Sequence, residues 1–202
     1  MKRITVLILL AATMGAASAE KADKTKQMAI EQDVADIDNV SQTTILTGNV
    51  VITQGTLLMK SEKATVQKDA EGYNVLTLLG APGKVATFRQ KRDGGPDLWI
   101  EGQAEKIVYD EKQDTVRLFA NAKIRELEGA RMTHEVASPF ISYDSRTEQF
   151  ASRNDVSGQS VPGKGRSVVI IEPRKPQPAA PKPAAPASAA AASSASVPAP
   201  GK

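Results

Sequence analysis

The pattern that recurs along this chain is clearest in Ile45-Leu46-Thr47-Gly48-Asn49-Val50-Val51-Ile52-Thr53-Gln54-Gly55-Thr56. Short apolar and β-branched runs are separated there by Gly-Asn and Gln-Gly, pairs that favour a change of chain direction. After residue 19 we find no window of about 11 residues with an apolar period of 3.6, so little helix is expected. The sequence predicts an all-β protein.

The same alternation continues to residue 172, with turn residues at intervals of about 8 to 12 residues. The predicted strands are 28–31, 45–47, 50–53, 56–59, 64–66, 75–79, 85–89, 98–101, 106–109, 115–119, 122–125, 130–133, 140–143, 149–152 and 167–171. Successive side chains of a strand point to opposite faces, which here gives most strands one apolar and one polar face. Two facing sheets need one apolar face per strand.

Parts of the chain resemble one another. Residues 62–66, 105–109 and 139–143 align, and the last two copies continue the match at a spacing of 34 residues. A second similarity relates residues 46–52 to residues 118–124. Recurring strand pairs imply layers that bury their apolar faces against their neighbours. We therefore expect stacked antiparallel strands in a twisted, open β-structure that is either jelly-roll-like or solenoid-like.

The two ends differ from the strand-rich middle. Lys2 and Arg3 precede a short apolar run at residues 4–12, and Ala17-Ser18-Ala19 is a small-x-small cleavage site, so residues 1–19 are predicted to be a signal peptide. We predict a flexible lead-in at 20–26, one domain at 27–172 and a disordered Pro/Ala-rich tail at 173–202. The mature protein is expected in the periplasm.

Composition excludes several classes of function. Without Lys2 and Arg3, 24 basic residues face 23 acidic ones, so the charge balance does not indicate a nucleic-acid partner. The chain has no cysteine and one histidine, His134, and therefore no thiolate or paired-imidazole metal site. We find no catalytic motif or nucleotide-binding fingerprint. We expect a protein that is not an enzyme and holds neither metal nor cofactor.

Two groups of charged residues have alternative interpretations. Asp33, Asp36 and Asp38 lack the spacing of a calcium loop and are better explained by a turn between edge segments. Arg89, Lys91 and Arg92 could meet anionic phosphates at a groove mouth or could be solvated loop charges, and the second interpretation is favoured.

The predicted interior is short of bulk. The chain has one Trp, three Tyr and four Phe, whereas two facing sheets are usually filled by aromatic and large aliphatic side chains. An apolar groove that its own side chains fill only in part is a site for an apolar guest. The alternative is a structural β-scaffold or periplasmic chaperone with a dry core.

The first and last predicted strands, 28–31 and 167–171, have no obvious capping element. Unpaired strand edges can accept a strand from a partner or from another copy of the chain. A head-to-tail contact of this kind does not close, so it would build rods.

The chain resembles the OstA-like family. The similarity is carried by Leu46-Thr47-Gly48-Asn49-Val50-Val51-Ile52-Thr53-Gln54-Gly55-Thr56 with 64–66, by the segment from Gly80-Ala81-Pro82-Gly83 to Gln90, and by the segment from Glu101-Gly102-Gln103-Ala104 to Tyr109. It covers roughly residues 28–172. The long Pro/Ala tail is a departure from the family pattern.

The resemblance implies a twisted β-jelly roll whose interior groove holds the lipid A acyl chains of lipopolysaccharide. By position, it implies a groove lined by Met28, Ile30, Leu46, Ile52, Phe88, Ile107, Tyr109 and Leu118. It implies edge contacts at Met28, Ile30, Val168 and Ile170. The partners it implies are an inner-membrane-anchored homologue, LptC, at the N-terminal edge, the outer-membrane translocon LptD at the C-terminal edge, and further copies of the chain. Its implied role is a bridge segment that carries lipopolysaccharide from inner to outer membrane.

Overall fold

The computed structural model describes residues 22–95 and 97–173. The described chain is a continuous antiparallel β-structure. Its strands are β1 (Met28–Glu31), β2 (Val34–Asp38), β3 (Thr43–Gln54), β4 (Leu57–Lys68), β5 (Asn74–Leu79), β6 (Ala86–Lys91), β7 (Leu98–Ala104), β8 (Lys106–Asp110), β9 (Thr115–Glu128), β10 (Arg131–Asp144), β11 (Gln149–Arg153) and β12 (Val168–Ile171). The predicted all-β jelly roll is confirmed.

Four long strands divide this structure into two facing sheets. β3, β4, β9 and β10 each change sheet part-way along their length, because their two halves pair with different neighbours. Sheet I has the order β2-β3-β4-β5-β8-β9-β10-β11. Sheet II has the order β1-β3-β4-β6-β7-β9-β10-β12. The long strands connect the sheets along one side, and hairpins line the opposite side, which we call the mouth.

The corners explain one of the sequence similarities. Gly48 and Asn49 have φ of 81° and 48°, and Ala120 and Asn121 have φ of 60° and 50°. Two consecutive left-handed residues turn a strand out of one sheet and into the other, a conformation for which Gly and Asn are well suited. The predicted strand pairs 45–47 with 50–53 and 115–119 with 122–125 are therefore each one strand, β3 and β9, with a corner inside it.

The three-fold similarity also has a structural origin. Residues 62–66, 105–109 and 139–143 each begin at a corner and continue as a strand of sheet I. Equivalent positions in the three copies are Ala64, Ile107 and Ile141, all with 0% of their surface exposed. The repeat therefore encodes one corner and one inward-facing strand, used three times.

The core lies between the two sheets. Its buried apolar members are Leu46, Val50, Ile52, Leu57, Met59, Ala64, Leu76, Leu78, Ala86, Phe88, Ile100, Ala104, Ile107, Tyr109, Val116, Leu118, Ala122, Ile124, Ile141 and Tyr143. Side chains of the opposite parity, such as Lys60 and Arg89, are exposed. The predicted assignment of faces is confirmed.

The acidic residues near the first strands are structural. Asp38 accepts hydrogen bonds from the backbone N–H of Val40, at 2.8 Å, and of Ser41, at 3.2 Å. The hydrogen bond from the Ser41 hydroxyl lowers the pKa of Asp38 most, and these two backbone bonds lower it further. Asp33 accepts a bond of 2.9 Å from Asn49 at the corner. The turn interpretation is therefore right for Asp33 and Asp38 and wrong for Asp36, which lies within β2, a strand that the sequence did not predict.

The ends differ from expectation where they are described. Residues 22–26, which the sequence predicts to be a flexible lead-in, form a turn docked at the mouth, with Asp23 only 4% exposed. Thr56 and Gln90 hold its carboxylate, partners that a local sequence pattern does not reveal. The predicted signal peptide and nearly all of the predicted tail lie outside the described residues.

Candidate functional site

The inner faces carry two apolar rows that cross the strands, one from β2 to β10 in sheet I and one from β1 to the edge strand β12 in sheet II. Cross-strand pairing defines the row of sheet I as Ala35, Leu46, Ala64, Leu78, Ile107, Leu118 and Ile141. The row of sheet II is Ile30, Ile52, Met59, Phe88, Gly102, Ile124, Val136 and Val169. Each row extends from an N-terminal edge strand towards the C-terminal edge.

Most of the predicted groove residues belong to these rows. Leu46, Ile52, Phe88, Ile107 and Leu118 are members, each at most 2% exposed. Tyr109 is 5% exposed on the same inner face, and Met28 and Ile30 are partly buried against the core.

The rows face each other and pack as a protein interior does. Phe88 is 2% exposed and belongs to one contiguous cluster that includes residues of both sheets. A guest hydrocarbon of any length therefore needs the sheets to separate, since native interiors leave few voids. A half-open depression of about 270 Å³ lies instead on the outer face of sheet II, among side chains that include Lys60, Arg89 and Lys123.

Polar groups close the mouth. Arg92, at the end of β6, donates to Glu148 in the β10–β11 turn at 2.5 Å and contacts Glu126 of β9 at 2.7 Å. Glu126 lies in sheet II and Glu148 in sheet I, so one guanidinium joins the two sheets. Burial would lower the pKa of Arg92, but the hydrogen bond to Glu148 and the nearby carboxylates raise it above its ordinary value. The guanidinium of Arg92 therefore stays protonated.

Arg89 and Arg92, two of the three basic residues singled out from the sequence, are paired with carboxylates, whereas the Lys91 ammonium lies 5.9 Å from the centroid of the Trp99 ring. Arg89 contacts Glu101 at 2.8 Å, and its guanidinium lies 4.3 Å from the centroid of the Trp99 ring. His134 contacts Glu126 at 2.9 Å at a partly exposed site. Only Arg92 of the nominated basic residues bridges the mouth. Among the described residues no cluster of His, Cys, Asp or Glu could hold a metal ion.

The C-terminal edge is apolar and open. The members of β12 are 42–67% exposed, and the strand pairs with β10. Val168 and Ile170, the predicted contacts, share the outer face with Ala137 and Glu135. Val169, which lies between them in the strand, faces inward and extends the inner row of sheet II. The alternation of side chains along the strand could have identified this residue from the sequence.

The fold and its interior define a class: an open-sided jelly roll of two antiparallel sheets, with an apolar inner face and a free edge strand at each end. A crystal structure of LptH from Pseudomonas aeruginosa, described as the LptA-homologous periplasmic component of a lipopolysaccharide transport device, is similar. Its TM-score is 0.65 at 22% identity, over 75% of this chain and 99% of that one.

Sequence comparison identifies the family. The chain belongs to the LptA/(LptD N-terminal domain) LPS transport protein family, whose model matches residues 29–149. The lipopolysaccharide export system protein LptA of Haemophilus influenzae is 28% identical over 181 residues, 88% of this chain and 97% of that protein. LptA of Escherichia coli K12 is 30% identical over 130 residues, 62% of this chain and 69% of that protein. The OstA-like resemblance is confirmed. No helix among the described residues is long and apolar enough to cross a membrane.

Proposed function

We propose that this protein binds the acyl chains of lipopolysaccharide between its two sheets and carries them across the periplasm as one segment of a bridge for outer-membrane assembly. The observation that carries the proposal is the pair of apolar rows, one on the inner face of each sheet, that cross the strands from β2 to β10 and from β1 to β12. Family membership and the names of the relatives support the same cargo. The role is non-catalytic, because binding and release require no bond to be broken.

The energetics suit a conduit. Each acyl methylene removed from water contributes about 0.8 kcal/mol, so an apolar interior is a strong sink for a lipid chain. Movement between equivalent positions along the rows leaves that burial unchanged and is nearly neutral. Direction must come from another component of the system.

The ends support a head-to-tail bridge. The N-terminal edge carries exposed acidic side chains, among them Glu31 and Asp36, whereas Arg153 and Arg166 are exposed near the C-terminal edge. Opposite charges at opposite ends favour contact between the end of one copy and the start of the next. Strand addition at β1 or β12 would continue the sheets, with LptC proposed at the N-terminal edge and LptD at the C-terminal edge. Met28, Ile30, Val168 and Ile170 are the proposed edge contacts.

The close-packed interior favours a second candidate, a structural β-scaffold or periplasmic chaperone with a permanently dry core. In that case Phe88 and Tyr109 remain buried among their neighbours and never meet a lipid. The two functions differ in whether the sheets separate.

Site-specific photocrosslinking separates them. A photoreactive residue at Phe88 or Tyr109 should capture lipopolysaccharide in cells, whereas one at outer-face Lys60 or Arg117 should not. Crosslinks confined to the outer-face positions would refute the conduit. Failure of every position, with the protein folded, would favour the scaffold.

A further inference from the structure

We propose that residues 22–26 form a latch that closes the mouth between the two sheets and must leave it for a lipid to enter. This inference rests on the proposed function, because it names how access to the same interior is controlled. It depends on contacts of the latch to both sheets, which two successive side chains make, Asp23 to sheet II and Lys24 to sheet I.

The first half of the latch is fixed to sheet II through Asp23. Its carboxylate accepts hydrogen bonds from the Thr56 backbone N–H at 2.7 Å, the Thr56 hydroxyl at 2.6 Å and the Gln90 amide at 3.1 Å. Asp23 is 4% exposed, and Gln90 is 5% exposed. A carboxylate that is desolvated to this extent needs these donors, so the site is specific for an acceptor at position 23.

Gly55 makes room for this contact. A Cβ at position 55 would lie 2.0 Å from Oδ1 of Asp23 and 3.0 Å from its Cα, which no side chain could tolerate. The φ of Gly55 is +61°, a second reason for glycine at this position. The β3–β4 hairpin therefore has the shape of a receptor for residue 23.

The second half of the latch reaches sheet I. The Lys24 ammonium forms an ion pair with Asp114, which immediately precedes β9 and whose side chain is 5% exposed. The Lys26 carbonyl, by contrast, accepts a hydrogen bond of 3.2 Å from Gln54, at the sheet II end of β3, so the Lys24–Asp114 pair is the contact that reaches sheet I. The latch thus joins the β3–β4 hairpin of sheet II to the β8–β9 hairpin of sheet I, directly over the mouth.

The chemistry of the latch differs from that of the core it covers. The contacts that hold it are hydrogen bonds and an ion pair, which water can replace once they break. Because the latch is held to both hairpins, the sheets separate at the mouth only after the Asp23 hydrogen bonds or the Lys24–Asp114 pair has broken. Release of one short segment therefore precedes opening. The Arg92–Glu148 pair is the other described ion pair that joins the sheets at this side, so the mouth has two polar closures.

The test measures mouth opening and lipid loading separately. Opening is measured by hydrogen–deuterium exchange at residues 54–57 and 110–115, and loading by stopped-flow uptake of fluorescently labelled rough lipopolysaccharide. Asp23→Ala and Lys24→Glu should each accelerate exchange in both hairpins by roughly fivefold or more, because each removes a contact worth on the order of 1 kcal/mol. The matched control is Lys63→Glu, the same charge change on an exposed side chain outside the latch, which should leave exchange unchanged.

A locked latch gives the second arm. Because the chain has no cysteine, the variant Asp23→Cys/Thr56→Cys introduces a single possible disulfide between two side chains whose oxygens lie 2.6 Å apart. The oxidised form should load lipopolysaccharide more slowly than the wild type. The same protein after reduction, with the Asp23 contacts gone, should load faster.

The outcomes separate the latch from the cargo. Unchanged hairpin exchange in Asp23→Ala, or equal loading rates in the oxidised and reduced double variant, would overturn the latch. Faster exchange together with a wild-type protein that takes up no lipopolysaccharide would support the latch as the closure of the mouth and overturn the proposed cargo.

Discussion

The ring of Phe88 lies against the bare Cα of Gly102 on the neighbouring strand. The two residues are paired across β6 and β7, and a Cβ at position 102 would lie 2.1 Å from Cε1 of Phe88 and 3.0 Å from a methyl of Leu118. Gly102 thus leaves a gap in the inner row of sheet II, and the aromatic ring of the adjacent residue fills it. A large side chain on β6 therefore occupies the space left by a residue without a side chain on β7. In this way a sequence with few bulky residues still fills this part of the interior.

Gly102→Ala should therefore destabilise the protein. The added methyl group must displace Phe88 or Leu118 from a close-packed interior, which typically costs about 1–3 kcal/mol. Urea unfolding followed by circular dichroism measures the change. The control is Gly165→Ala, where the nearest atom to a Cβ would be 3.7 Å away, in ordinary contact. Equal stability of the two variants would contradict the observed contact.

The corner at residue 120 predicts a stabilising substitution. Ala120 has φ of +60°, a left-handed conformation that costs a residue with a Cβ roughly 1–2 kcal/mol. Ala120→Gly removes this cost and loses part of the gain to the entropy of the unfolded chain, so we expect a net gain of about 0.5–1 kcal/mol.

The same substitution in an extended strand should have the opposite sign. Ala151→Gly, in β11, is expected to cost about 0.5–1 kcal/mol. Both variants are measured by thermal and urea unfolding. Destabilisation by Ala120→Gly of the same size as Ala151→Gly would mean that position 120 is not under strain.

The ion pair at the mouth should couple more strongly than a surface pair. Arg92 is 17% exposed and its partner Glu148 33% exposed, whereas Lys112 and Glu71, 2.6 Å apart, are 47% and 62% exposed. A double-mutant cycle with Arg92→Ala and Glu148→Gln should give a coupling free energy of about 1–2 kcal/mol, and one with Lys112→Ala and Glu71→Gln a clearly smaller coupling. Equal couplings would show that the mouth pair is fully solvated.

Glu135 should make stability depend on acid pH. Burial would raise its pKa, but hydrogen bonds from Arg125, at 2.6 Å, and Lys123 outweigh that effect and lower the pKa below its ordinary value of 4.5. A carboxyl with a depressed folded-state pKa stabilises the fold above its unfolded pKa, and this contribution is lost as pH falls through the folded value. The window is therefore below about pH 4.5.

Glu135→Gln should remove that part of the acid sensitivity. The free energy of unfolding of wild type minus variant should be largest, about 1 kcal/mol, near pH 6 and should shrink towards pH 3. Asp144 and Asp155 also have lowered pKa values and titrate in both proteins, so the difference isolates residue 135. Glu62→Gln, an exposed carboxylate of β4, is the control. A difference that does not change with pH would refute the assignment.

Much of the fold was determined by the sequence alone. Alternation along each strand decides which side chains point inward, because the side-chain period of a strand is two. Leu46, Phe88 and Ile107 could therefore be placed on the inner face from their positions in the chain. The internal similarities indicated repeated layers. Family resemblance then supplied the interpretation of that inner face.

Only the tertiary structure decided how the strands continue and how the interior is closed. Gly48-Asn49 looks like a hairpin turn in sequence and proves to be a corner within one strand, since the choice depends on which neighbours each half pairs with. Asp23 contacts Thr56 and Gln90, 33 and 67 residues away. Arg92 joins Glu126 of one sheet to Glu148 of the other. Such contacts depend on the approach of distant segments, which local patterns do not encode.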